Sequence, residues 1–139
     1  MDLSAGFPIT APPIVVPWLV NSVELERILA GTGFNKITAG YYTLECEPLP
    51  GLRCKLGFHL HNTGDSLTEL EFFRNSYSDQ KASFAEFQQH FESAFGRPTN
   101  ETPGRCGFPS YVWKLPVAQI VHNVVDRFGP EEHMRIQYQ

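Results

Sequence analysis

Residues 41–61 read YYTLECEPLPGLRCKLGFHLH, and this stretch decides the fold. Apolar residues alternate as Tyr42, Leu44 and Cys46, break at Pro48-Leu49-Pro50-Gly51, and resume as Leu52, Cys54, Leu56, Phe58 and Leu60. A period of two places every second side chain on one face of an extended chain, so the stretch predicts two antiparallel strands of a meander. A third strand, Leu67 to Arg74, follows the turn Asn62-Thr63-Gly64-Asp65 and points Leu70 and Phe72 inward.

Register follows from requiring the apolar side chains to share a face, because a slip of one residue would turn all of them outward. The solution pairs Cys46 with Cys54, Leu44 with Leu56, Tyr42 with Phe58, Phe58 with Leu70 and Leu56 with Phe72. The other face then reads Glu47 beside Arg53, Glu45 beside Lys55 beside Phe73, Thr43 beside Gly57 beside Glu71, and Tyr41 beside His59 beside Glu69. Opposite charges fall across from each other, which supports the register independently.

Upstream, a helix is predicted from a cap at Asn21, with Glu24 three residues on, a stripe of Leu25, Ile28 and Leu29, and a stop at Gly31 and Gly33. Residues 1–17 carry Pro8, Pro12, Pro13 and Pro17 and read as an extended arm along the domain surface, with only Ile14 to Val16 able to pair as a short edge. Downstream, Ser83 with Glu86 at the capping-box position opens a second helix, which carries Phe84, Phe87, Phe91, Ala94 and Phe95 on one face until Gly96 and Pro98.

Arg97 to Ser110 reads as a long loop and Tyr111 to Leu115 as a strand. In Pro116 to Phe128, the residues Val117, Ile120, Val121, Val124, Val125 and Phe128 fall on a helical stripe, and the segment is read as a helix. Its β-branched content favours the alternative, a strand hairpin turning at Gly129-Pro130. A last strand, His133 to Tyr138, stands under either reading. The expected fold class is α+β: an antiparallel β-meander sheet with helices packed on one face, in a single domain spanning residues 1–139.

Composition narrows the function classes. A net charge of -4 with scattered basic residues lacks the electrostatic footprint of a nucleic-acid binder. Three cysteines, Cys46, Cys54 and Cys106, at irregular spacing indicate neither a disulfide framework nor a zinc knuckle, and fit a reducing cytoplasm. The N-terminal apolar run from Ile14 is broken by Pro17, so no membrane span or signal segment is expected there.

Chemistry-bearing residues are few. His59-Leu60-His61 places two imidazoles on one side of a strand with Glu69 across from His59, similar to the His-x-His of cupins. The pattern departs from theirs, since Glu69 is too far along and too few strands remain to close a barrel. His59, His61 and Glu69 are therefore read as tiling a solvated face, with a metal-dependent enzyme as the alternative. His122 and Asp126, four apart, read as neighbours on a helix surface, and Cys106 as incidental.

No cofactor is expected. The leading expectation is a non-enzymatic protein-binding module whose surface is the open sheet face, with Tyr41, Gly57, His59, Glu69, Glu71 and Phe73 at its centre. In general look such a chain resembles small bacterial-type interaction domains, among them toxin-immunity proteins and secretion chaperones. A pocket for a small ligand between helices and sheet is the third expectation.

Overall fold

The alternation builds one long antiparallel sheet. The computed structural model describes residues 1–139. In chain order the elements are β1 (Phe7–Ile9), β2 (Ile14–Val16), α1 (Ser22–Ile28), β3 (Asn35–Thr38), β4 (Tyr41–Leu49), β5 (Leu52–His61), β6 (Ser66–Phe73), α2 (Gln80–Phe95), β7 (Asn100–Thr102), β8 (Ser110–Lys114), β9 (Ala118–Asp126) and β10 (Pro130–Tyr138). The main sheet has eight strands in the order β3-β4-β5-β6-β10-β9-β8-β7, and β1 and β2 form a separate hairpin. The fold is α+β, with the helices and the β1–β2 hairpin on one face of the sheet.

Two four-stranded meanders meet at the centre, where β6 pairs with β10 through Phe72↔Met134 and Leu70↔Ile136. The first meander has the register read from the sequence, Cys46↔Cys54, Leu44↔Leu56 and Tyr42↔Phe58 on the core side, then Phe58↔Leu70 and Leu56↔Phe72. The expected neighbours Glu47 and Arg53 are separated by a register shift between Cys46 and Leu49. Pro48 cannot donate to the ladder, and the Glu47 backbone instead exchanges hydrogen bonds with Ala11 at 2.8 and 3.0 Å. Cys46 and Cys54 are free thiols, and burial pushes both up to about 12, so they behave as core hydrophobes.

Three expectations are corrected. Pro116 to Phe128 is not a helix: Ala118, Ile120, His122 and Val124 are buried in alternation along β9. The β-branched residues and the pairing of all nine β9 residues with β10 outweigh the helical stripe, and the turn leaves Phe128 94% exposed at its tip. The loop from Arg97 to Ser110 contains the edge strand β7, paired to β8. The N-terminal arm folds as a hairpin that fills the core, where Phe7 and Val16 are fully buried and the Phe7 ring meets Phe72 edge-on.

The second helix starts earlier than the capping-box pattern indicated. Asp79 is the cap, its carboxylate accepting from the Ala82 N–H at 3.0 Å. Ser83 is instead buried within the helix, where its hydroxyl meets Arg74 and Glu132. At α1 the Asn21 side chain accepts from Glu24 N–H at 2.9 Å as read. Asp79→Ala is expected to lower the unfolding free energy by about 1 kcal/mol in chemical denaturation through loss of the cap; no change would place the helix start elsewhere.

Candidate functional site

The face of the sheet opposite the helices is formed by the outward residues of the same alternation. Register lines up Thr43, Gly57, Glu71, Arg135, Val121 and Val112 in one row across six strands, and Tyr41, His59, Glu69, Gln137, Gln119 and Lys114 in the next. The predicted residues Tyr41, Gly57, His59, Glu69, Glu71 and Phe73 are thus brought together on this face. The sequence reading missed Arg135 and Gln137, although their alternation with Met134 and Ile136 was a signal; which strand they would lie beside was not.

A connected polar network crosses these rows. The Tyr41 and His59 rings stack at 4.5 Å between centroids, and His59 Nε2 lies 2.8 Å from Glu71 Oε2. Arg135 donates to Glu69 at 2.8 Å and approaches Glu71 at 3.7 Å, while Gln137 donates to the other Glu69 oxygen at 2.8 Å. The His59 hydrogen bond is the largest influence holding the Glu71 carboxyl below its ordinary value, and Arg135 adds to it against the effect of burial. Burial, then the Glu71 charge, raises the Tyr41 phenol.

Gly57 lies beneath two aromatic rings. A side-chain carbon there would stand 3.1 Å from Tyr41 Cε1 and 3.4 Å from Phe73 Cε1. The close approach that a strand-interior glycine implies is therefore supplied by the protein's own rings. Hollows flank this ridge: one of about 480 Å³ by Tyr41, His59, His61 and Glu69, the other of about 380 Å³ by Glu71, Phe73, His133 and Arg135.

His59, His61 and Glu69 do not converge. A register shift follows His59, so His61 lies beyond it, exposed, with Nδ1 2.8 Å from Thr63 Oγ1, and Glu69 faces Arg135 and Gln137. No group of three or more His, Cys, Asp or Glu side chains is arranged to hold a metal ion.

His122, expected beside Asp126 on a helix surface, is fully buried on the core side of β9, because residues four apart on a strand are separated by more than 10 Å. Its Nδ1 lies 2.8 Å from Gln88 Oε1 and its Nε2 2.5 Å from Glu132 Oε2, and its ring stacks on Phe84 at 3.9 Å. Burial pushes the imidazole below its ordinary value while the adjacent Glu132 pulls it back up. Ser83, Arg74 and Glu86 extend this cluster toward the start of α2.

No family model, no curated protein and no solved structure matches the chain. No helix is long and apolar enough to cross a membrane.

Two measurements check this account. Because its folded-state pKa is depressed, Glu71 contributes stability that is present above its ordinary value of 4.5 and is lost as pH falls below it. Acid unfolding of Glu71→Gln is expected to be shallower than that of the unaltered protein over this range; superimposable slopes would assign the titration to other carboxyls. Removing one partner of a fully buried pair strands the other, so Glu132→Ala is expected to destabilise by about 3 kcal/mol or more in urea, and a loss below about 1 kcal/mol would show that His122 does not depend on Glu132.

Proposed function

We propose that the chain is a non-enzymatic protein-binding module that uses the uncovered face of its sheet, centred on Tyr41, His59, Glu69, Glu71 and Phe73 around Gly57 and extended by Arg135 and Gln137. The observation that carries this reading is the preordered state of that face. Its side chains hold one another through His59–Glu71, Arg135–Glu69 and Gln137–Glu69, so little rotamer freedom remains to be lost on association.

Composition supports it further. Two aromatic rings over a glycine, next to an arginine, match the residue types that dominate interface centres. On the neighbouring part of the face Asn123 Oδ1, His133 Nε2 and Arg135 Nε are shielded from water without a hydrogen-bond partner, and polar groups of a docked protein would supply partners. The face mixes both charge signs, which favours a protein over a uniformly charged polymer. A reducing cytoplasm, consistent with two buried free thiols, is the compartment in this reading, and immunity proteins and secretion chaperones are the kinds of interaction domain it resembles.

Immobilised protein tests it against lysate of the native host, with Phe73→Glu and Tyr41→Ala compared against Lys81→Glu on the exposed side of α2, each first checked for folding by circular dichroism. A specific partner retained by Lys81→Glu and weakened about tenfold or more by both face variants is the expected result. A partner that survives both changes would move the binding surface off this face.

A further inference from the structure

On the other side of the sheet, a groove between α2 and β8 belongs neither to the core nor to the open face. It encloses about 600 Å³ and is lined in part by Phe84, Ala85, Gln88, Glu92, Pro109 and Tyr111, a size typical of small-molecule sites. Its aromatic wall is held in place: the Phe84 ring stacks on His122 at 3.9 Å, touches Phe108 at 5.0 Å and stands 6.2 Å from Tyr111.

The charge around this wall is of one sign. Glu92 lines the groove from α2, and Glu101 is the direct register partner of Tyr111 on β7, hence on the same face of the sheet. Neither carboxylate takes part in an ion pair. After burial, Glu101 and Glu92 are what raise the Tyr111 phenol, with no basic group acting against them. Aromatic faces beside unneutralised carboxylates attract a delocalised cation.

A polar side chain adds a third element. Gln88 is only 8% exposed and lines the groove. Its Oε1 is occupied by His122 Nδ1 at 2.8 Å, which Glu132 anchors from behind, and its Nε2 has no hydrogen-bond partner. With one amide atom held at His122, the other is left for a hydrogen-bonding group that enters beside it.

We propose that the groove binds a flat organic cation bearing a carboxamide or similar hydrogen-bonding group, with its ring against Tyr111 and Phe84, its charge toward Glu92 and Glu101, and its hydrogen-bonding group toward Gln88. An anion is repelled by the two carboxylates, and a neutral ring keeps only the stacking. The site lies on the face of the sheet opposite to the proposed protein-binding surface, so either assignment can fail without the other.

The test is a titration of the purified full chain with 1-methylnicotinamide, a pyridinium cation with a carboxamide, followed by amide NMR shifts. Nicotinamide lacks the charge, 1-methylpyridinium lacks the carboxamide, and nicotinate is an anion. Saturation with a Kd of about 1 mM or tighter is expected, with shifts centred on Phe84, Gln88 and Tyr111, and with each truncated probe weaker by about fivefold. Tyr111→Ala should reduce binding about tenfold. Should that variant fail to fold, Glu92→Gln with Glu101→Gln, both at exposed positions, should weaken the cation and not nicotinamide. Equal binding of nicotinate or nicotinamide, shifts centred elsewhere, no saturation, or full affinity in the double carboxylate variant would overturn the proposal.

Discussion

The pairing of β6 with β10 is the constraint on which the rest of the molecule depends. It joins two meanders that are otherwise built separately, and its register sets Leu70 opposite Ile136 and Phe72 opposite Met134 on a single core face. Phe72 then becomes the meeting point of three elements, with Phe7 of the N-terminal hairpin at 5.6 Å and Phe91 of α2 at 4.9 Å. Because side chains alternate across a strand, the same register sets Arg135 on the opposite face between Glu69 and Glu71. Core and network are two sides of one alignment, and a slip of one residue would destroy both.

The chain must also travel from β6 at the centre to β7 at the far edge, and α2 makes that crossing on the core face, against β5 and β6 of the first meander and β8 and β9 of the second. Phe84, Phe87 and Phe91 anchor it by area, at roughly 2 kcal/mol per buried ring, yet aromatic packing alone tolerates sliding. Directional contacts fix the position: Trp113 Nε1 donates to Gly96 O at 2.8 Å at one end, and Gln88–His122–Glu132–Ser83 runs through the other. A buried pair such as His122 and Glu132 adds little net stability after desolvation, but any displaced helix would leave both groups unpaired. Its physical effect is therefore to exclude alternative placements of α2.

What could be read from the sequence divides along the same line. The register of β4, β5 and β6 was legible because short turns join them and the period of two is nearly unbroken, and the Asn21 cap because its signal is local. The face residues Tyr41, Gly57, His59, Glu69, Glu71 and Phe73 could be grouped for that reason. The partner of His59 could not: side-chain reach selected Glu71, diagonal on β6, over the directly opposed Glu69, which Arg135 and Gln137 occupy. The latter two arrive from more than sixty residues away in sequence, and nothing local encodes that β10 lies beside β6. In β9 both periods fit the same valines, and the strand is decided by its pairing with β10, again a contact outside the segment. Ser83 misled because the side chain of a capping-box serine is the same one that a buried network uses.

Energetics also separate the two polar clusters by role. Ion pairs on the open face are partly exposed, with side chains such as Arg135 and His59 retaining about a third of their accessibility, and contacts of that kind contribute at most about 1 kcal/mol each. Threonine at these positions would support the sheet about as well. The core does not require Tyr41 and Phe73 to close over Gly57 either, since a β-branched residue there would strengthen the strand that a glycine weakens. Fixing the position of α2 thus accounts for the buried cluster, while the exposed pairs of the open face add comparatively little to stability. Rings laid over a small residue present a flat apolar centre, and carboxylates already held by His59, Arg135 and Gln137 surround it with polar groups of fixed direction, the arrangement on which the proposed binding role rests.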